Sequence, residues 1–266
     1  MTEEILRKIK QLPPLPESAM QIEAVYQDPD SSFNDMVKIL EKDPLLTADI
    51  LKAANSPLYG FSREINAISQ AVGLFGMGTV RGFALASIVK KSFSIDLSPY
   101  GINNEMFSAL SKKQHGLMTA WCIRKENKLL GVLSPAAFLV EIGKVLIAQQ
   151  IIAEEKQEQF RDALLELGDV EAAERQIIGV DTPEVSATIF AQWKFEGGLV
   201  DVIRNCQTPE RAEKDEMRAA AILNVVRIAV PINGVITDES EAAAKVLIEK
   251  YGLDLESFET AISNAK

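Results

Sequence analysis

The chain has 266 residues, enough for one large domain or two modest ones with a buried core. Apolar residues make up 47 % and aromatic residues 6 %, and 28 Lys and Arg against 38 Asp and Glu give a formal charge of −10. That balance argues against a general nucleic-acid binder, which needs a basic footprint, and against docking on anionic lipid; it leaves a protein partner open.

Helical periodicity runs through most of the chain. Ile5, Ile9 and Leu12 mark a short first helix. The LPPLP segment, Leu12 to Pro16, ends it, because proline lacks a backbone donor and biases its predecessor away from helix. Leu15, Ala19, Ile22 and Tyr26 line a second helix, closed by Asp28-Pro29-Asp30. Ser32 and Asp35 resemble a capping box before Phe33, Met36, Val37 and Leu40. Asp43-Pro44 places an acceptor at the N-cap and proline at the first helical position, ahead of Thr47, Ile50, Leu51 and Ala54. The turn ANSPLYG, Ala53 to Gly60, stops that helix. Ile65, Ile68, Val72 and Phe75 form the next face, with Gly73, Gly76 and Gly78 ending it and Thr79 able to cap a further helix through Val80, Phe83, Ala84 and Ile88.

The period lapses over FSIDLSPYGINN, Phe93 to Asn104. A subdomain junction is expected here, dividing the chain into residues 1–95 and 96–266. A helix from about Glu105 to Lys125 follows, then one started by Ser134-Pro135, one around Phe160 to Leu167, and one started by Thr182-Pro183. Gly197-Gly198 breaks the last of these. Met217, Ala220, Ala221, Asn224 and Ile228 mark a later face, and short helices around Ala242 to Tyr251 and Leu255 to Ile262 finish the chain. No stretch alternates as a strand would. The expected fold is all-α, in two packed helical lobes.

Chemistry-bearing residues are few. Cys122 and Cys206 lie far apart with no neighbouring ligand types, so neither a disulfide scaffold nor a zinc site is expected. Residues 1–16 contain no apolar core of signal-peptide type, and no window holds the ~18 uncharged apolar residues of a membrane span. A soluble, cytoplasmic protein is the expectation. His115 is the single histidine, on a largely apolar face with Met118, Thr119 and Cys122. It reads first as a core histidine held by a hydrogen bond, and second as a ligand or acid-base group. Trp121 and Trp193 read as core anchors, and Lys90-Lys91 and Lys112-Lys113 as solvated faces. Asn55, Ser56 and Gly60 favour a defined turn, with a partner-binding loop as the alternative. In FLVEIGKVLI, Phe138 to Ile147, Glu141 interrupts an apolar run, and an unpaired buried carboxylate is costly.

The run LPPLPESAMQIEAVYQDPDSSFNDMVKILEKDPLLTADILKAANSPLYG, with Asp43, Pro44, Asn55, Ser56 and Gly60 among its punctuating residues, resembles the opening of the HDOD domain family. INAISQAVGLFGMGTVRGFAL is similar to the family's next segment. The resemblance implies an all-helical bacterial signalling module, its second lobe related to the HD and HD-GYP metal-dependent phosphohydrolases and typically lacking their metal ligands. Set against the HD pattern, His115 matches the first histidine, Val140 and Glu141 stand at the His-Asp doublet, and Thr182 stands at a later histidine. Valine supplies no lone pair and threonine is a poor ligand, so the resemblance implies no metal, no cofactor and no catalytic residue. A protein partner in a signalling pathway, with a link to cyclic-di-GMP signalling, is the implied setting. The alternative is an atypical phosphohydrolase using His115, Glu141 and carboxylates such as Asp181 or Glu184. Glu141 is expected to be neutralised by Lys144, three residues on, or by His115.

Overall fold

The computed structural model describes residues 1–59 and 63–266, apart from the side chain of Leu58. The helices are α1 (Glu3–Lys10), α2 (Glu17–Gln27), α3 (Phe33–Glu41), α4 (Pro44–Ala54), α5 (Ile68–Lys91), α6 (Asn104–Cys122), α7 (Leu130–Leu139), α8 (Gly143–Ala153), α9 (Gln157–Leu167), α10 (Val170–Ile178), α11 (Thr182–Gln192), α12 (Gly197–Arg204), α13 (Met217–Ala229), α14 (Asp238–Tyr251) and α15 (Leu255–Ala265). Among the described residues there is no strand, and the fold is all-α as expected.

The N-terminal punctuation acts as the sequence predicts. Ser32 and Asp35 form the capping box, and Asp43 Oδ1 accepts from the Leu46 amide at 3.0 Å with Pro44 at the first helical position. Other boundaries differ. Ser134-Pro135 does not start a helix: α7 begins at Leu130, and Pro135 lies inside it. Thr182 is not the cap of α11; Asp181 is, accepting from the Glu184 amide at 3.1 Å, which leaves the Thr182 side chain for another task. The helix expected to break at Gly73 to Gly78 instead continues through a single kink at Gly76, whose φ of 79° suits glycine, so Thr79 lies inside α5 and caps nothing. Helices α10 and α12 were not legible as separate elements, and α14 starts earlier than Ala242, at Asp238.

Helix α5 is the hub, packed against α2, α3, α4 and α7. Where it crosses α7 the backbones nearly touch: a Cβ on Gly78 would stand 2.7 Å from Gly131 Cα. Beside this crossing the guanidinium of Arg81 is wholly buried. Its Nε and Nη2 donate to the two carboxylate oxygens of Glu23 at 2.6 and 2.8 Å, and its Nη1 donates to Glu196 at 3.0 Å. The Tyr26 ring covers it at 4.2 Å. One side chain thus ties α2 and the start of α12 to α5, a planar fork being suited to two carboxylates at once.

Two segments, Ile68–Lys91 and Asn127–Ala153, are long and apolar enough to cross a membrane by length and composition. Neither is free of charge, since the first carries Arg81 and the second Glu141 and Lys144, and 56 % and 83 % of their apolar windows are buried inside the bundle. Their apolarity is spent on packing against other helices.

Candidate functional site

The site begins where the chain leaves α7. Leu139 is followed by a 3-10 turn, Val140–Ile142, and only then by α8. The Ile-Gly-Lys run is therefore a break between two helices rather than the middle of one. Gly143 is required there: a Cβ would meet the Thr182 carbonyl oxygen at 2.5 Å and Ser186 Oγ at 2.8 Å. Ser186 closes the gap, accepting from the Gly143 amide at 2.8 Å and donating to the Val140 carbonyl at 2.6 Å. This seat fixes Glu141 facing α13 and Lys144 facing α10 and α11.

Glu141 is buried and fully engaged. Its Oε2 meets Lys144 Nζ at 2.8 Å, and its Oε1 accepts from Arg227 Nε at 2.8 Å and from Gln114 Nε2 at 3.2 Å. Arg227 also reaches Glu171, and Lys144 stands 3.5 Å from both Glu171 and Glu174. Thr182 supplies its backbone N–H and its hydroxyl to the two oxygens of Glu174, each at 2.6 Å, and Tyr100 adds an O–H at 2.8 Å. The result is a buried network of three carboxylates, an ammonium and a guanidinium.

Its electrostatics follow from burial and from these partners. Burial pushes the Glu141 carboxyl upward, but Arg227 and Lys144 outweigh it and hold the group far below the usual carboxylate range. Burial likewise pulls Lys144 down, and Glu141, Glu174 and Glu171 more than restore it. Glu174 goes the other way: burial and the neighbouring charge of Glu171 leave it raised to about 7, despite Lys144 and its three donors. With Glu174 protonated, two cations face two carboxylates and the network is neutral.

His115 belongs to a different constellation. Its Nδ1 lies 2.6 Å from Tyr59 Oη and its Nε2 lies 2.8 Å from Ser134 Oγ. Ser134 Oγ is 3.4 Å from the Thr79 carbonyl, which can only accept. The relay that satisfies every group runs Tyr59 O–H to Nδ1, Nε2–H to Ser134 Oγ, and Ser134 O–H to Thr79, which assigns the Nε2–H tautomer. Phe138 stacks on the imidazole at 4.0 Å, and Phe83 and Tyr59 wall it in. Burial alone lowers its pKa to about 3, so the ring is neutral. The expectation that His115 could neutralise Glu141 is corrected: Lys144 and Arg227 do so, and the histidine ring nitrogens are taken by hydroxyls.

The remaining expected residues are placed as follows. Val140 is buried, and it bonds only through its backbone, the N–H donating to the Ala136 carbonyl and the carbonyl accepting from Ser186. Asp181 pairs with Arg175 at 2.5 Å in addition to capping α11, while Glu184 is 40 % exposed. Asp43 and Pro44 start α4, remote in role from any carboxylate cluster. Asn55 donates to the Leu51 and Ile65 carbonyls and accepts from the Ile65 amide, so it staples the two ends of its loop. Ser56 accepts from the Tyr59 amide at 3.1 Å, which sets Tyr59 over His115. Gly60 lies outside the described residues. Arg227, Glu171, Glu174, Tyr100 and Tyr59 were not singled out from the sequence. They come from helices and turns far apart in the chain, and no local spacing links them.

The HD pattern that the sequence resembles implies a metal held by histidines and an aspartate. The residues present do not fit one. Val140 has no donor atom, both His115 nitrogens are engaged, and both oxygens of Glu141 are filled by cations of the chain itself. Among the described residues no three His, Cys, Asp or Glu side chains converge in a ligating geometry. A cavity of about 200 Å³ does open on the network, lined by Glu141, Lys144, Glu171, Asn224 and Arg227 together with Val230, Pro231 and Ile232.

A model of the HDOD domain family matches residues 12–209. Among solved structures, a virulence factor from Campylobacter jejuni subsp. jejuni is 27 % identical and superposes over all of this chain and 98 % of its own, with a TM-score of 0.61. A candidate phosphohydrolase from Shewanella amazonensis SB2B is 24 % identical over 98 % of this chain and 94 % of its own, with a TM-score of 0.75. An HDOD domain protein with unknown function from Geobacter sulfurreducens is 18 % identical over 99 % and 96 % of the two chains, with a TM-score of 0.69. The last two likenesses speak to fold alone. An uncharacterized protein of Treponema pallidum (strain Nichols) is 32 % identical over 73 residues, 27 % of this chain and only 14 % of that protein.

Proposed function

The chain belongs to the HDOD domain family, and from that premise we propose that it is a bacterial signal-transduction domain that works by binding a partner protein or small ligand and does not hydrolyse phosphodiesters. The observation that supports this most directly is the occupancy of Glu141. At the position of a metal-binding aspartate, the carboxylate is closed by Lys144 and Arg227, each at 2.8 Å. A metal-dependent phosphohydrolase uses its ions to activate water and to neutralise phosphate charge, and both tasks need open coordination positions. Here the neutralising charge is built from side chains. An ammonium and a guanidinium hold the scaffold together but cannot lower the pKa of a water as a divalent ion does. Removing the metal in this way would leave the helices around it free to serve as a recognition surface. The proposed setting is a signalling pathway linked to cyclic-di-GMP.

The experiment is a hydrolysis assay on the purified chain with Mn²⁺, Mg²⁺ or Fe²⁺, using cyclic dinucleotides and a generic phosphodiester as substrates. No turnover above the metal-only background is expected. Turnover that disappears in His115→Ala would overturn the proposal in favour of an atypical phosphohydrolase.

A further inference from the structure

A second cavity, of about 430 Å³, lies on the other side of the Val140–Ile142 turn from the ionic network, between α4, α5, α6 and α7. Its floor is apolar, formed by Phe83, Val89, Phe107, Phe138, Leu139 and Ile142. Its rim carries four lysines, Lys52, Lys90, Lys91 and Lys112, against one acid, Asp49. That is a local excess of positive charge on a chain whose formal charge is −10. Of the two lysine doublets that read as solvated faces in the sequence, Lys91 is exposed and Lys113 donates to the Gly234 carbonyl, while Lys90, Lys91 and Lys112 also line one pocket from α5 and α6.

The rim is not internally balanced. Asp49 accepts from Ser87 Oγ at 2.6 Å and pairs with Lys91 at 2.8 Å, so it is already used. Lys90 is half-buried, and the charge that acts on it is that of Lys112, which repels it. Among the described residues neither lysine has a carboxylate within ion-pair distance. Two ammonium groups held together at the edge of an apolar cavity with no counter-ion are an arrangement that a bound anion would relieve.

The lining also says what the rest of the ligand is. Among its described residues there is no Asn, Gln, Arg, His, Tyr or Trp. Of its three serine hydroxyls, Ser87 is committed to Asp49 and Ser111 bonds back to the Phe107 carbonyl at 3.2 Å, which leaves Ser108 as the one side chain besides the rim charges to offer a polar contact. A site that reads a nucleobase needs directional donors and acceptors for its edge, and this one offers a greasy floor and a charged rim. We propose that this pocket binds a small anionic amphiphile, an acyl or alkyl chain seated on Phe83, Phe107, Phe138 and Ile142 with its carboxylate or phosphate head on Lys90 and Lys112. This rests on the binding role proposed above and gives that role a ligand class. Phe138 and Phe83 are at once the floor of the pocket and the walls of His115, and Leu139 and Ile142 bracket Val140 and Glu141. A bound chain would thus press on the turn that seats the ionic network.

The test is calorimetric titration of the full chain with laurate below its micelle concentration. Dodecyl maltoside serves as a tail without charge, inorganic phosphate as a head without a tail, and phosphatidylglycerol vesicles as a lipid surface. An acidic peptide with apolar residues completes the panel. Saturable one-to-one binding of laurate is expected, weakened about tenfold or more in Lys90→Gln/Lys112→Gln, with neither the neutral detergent nor phosphate binding comparably. Circular dichroism of the double variant checks that these two surface changes leave the fold intact. Ser108→Trp, which narrows the mouth from α6, is expected to weaken laurate without touching a lysine. No laurate binding, equal binding of the neutral detergent, binding unchanged in both variants, or binding only to vesicles or only to the peptide would each overturn the proposal. None of these outcomes bears on hydrolysis, so the reading of the HD-like site stands or falls separately.

Discussion

Replacing Arg227 by methionine isolates the energetic core of the candidate site. The side chain is 6 % exposed, makes two contacts to Glu141 at 2.8 and 3.3 Å, and reaches Glu171 and Cys206 Sγ. Methionine keeps much of the buried stem and removes the charge. Glu141, Glu171 and Glu174 would then share Lys144 alone. Breaking one partner out of a buried ion pair costs about 3–5 kcal/mol, because the other charge stays desolvated. The chain has a way to limit that cost: one carboxylate can take up a proton. Neutralising a group of ordinary pKa near 4.3 at pH 7 costs roughly 3.7 kcal/mol, at 1.36 kcal/mol per unit. Arg227→Met is therefore expected to lose about 3–4 kcal/mol at pH 7 and about 1 kcal/mol at pH 5, where protonation is cheap. Urea denaturation followed by circular dichroism at the two pH values measures both. Adding Glu141→Gln to the variant should recover part of the pH 7 loss. A loss under about 1 kcal/mol at pH 7, or the same loss at both pH values, would refute the reasoning.

Four further outcomes follow from the same geometry. Glu174 has its folded pKa raised to about 7 by burial and Glu171, so a carboxyl ¹³C titration should place its midpoint near neutrality; because the shift is upward, its stabilising contribution is complete below the unfolded value near 4.5 and is lost as pH rises toward 7. His115, lowered to about 3 by burial, should remain the neutral Nε2–H tautomer down to about pH 4 in ¹⁵N spectra; its stabilising term is present above the unfolded value and is lost as pH falls. Tyr59→Phe removes the donor to Nδ1 at 2.6 Å and should cost about 1–3 kcal/mol in urea denaturation while shifting the tautomer signal. Gly143→Ala, with its Cβ 2.5 Å from the Thr182 carbonyl, should cost about 1–3 kcal/mol in the same assay, whereas Gly197→Ala, where nothing lies within 4 Å, should not pay a steric penalty.

Local signals were legible where the chain itself supplies the answer. Asp43-Pro44 and Ser32 with Asp35 fix helix starts through contacts three residues away, and both stand as the sequence suggests. Ser134-Pro135 misled for the opposite reason. Proline usually opens a helix, but here Ser134 is needed inside α7 to meet His115 and Thr79, and tertiary packing overrides the local preference. The Glu141–Lys144 pair was visible because it spans one helical turn. Arg227, 86 residues from Glu141, carries equal weight and left no trace in any local spacing. The same holds for Lys90 and Lys112, which look like parts of solvent-facing doublets until the fold brings them to the rim of one pocket. Charge placed by tertiary structure is the part of this molecule that pattern and period do not reveal.

The central claim is that side-chain cations occupy the place of a metal at Glu141. The direct measurement is anomalous scattering at the manganese edge from crystals grown in excess Mn²⁺. The account predicts no peak within coordination distance of Glu141, with Lys144 and Arg227 still on its carboxylate. A peak shared by Glu141 and His115, with either cation displaced, would contradict it.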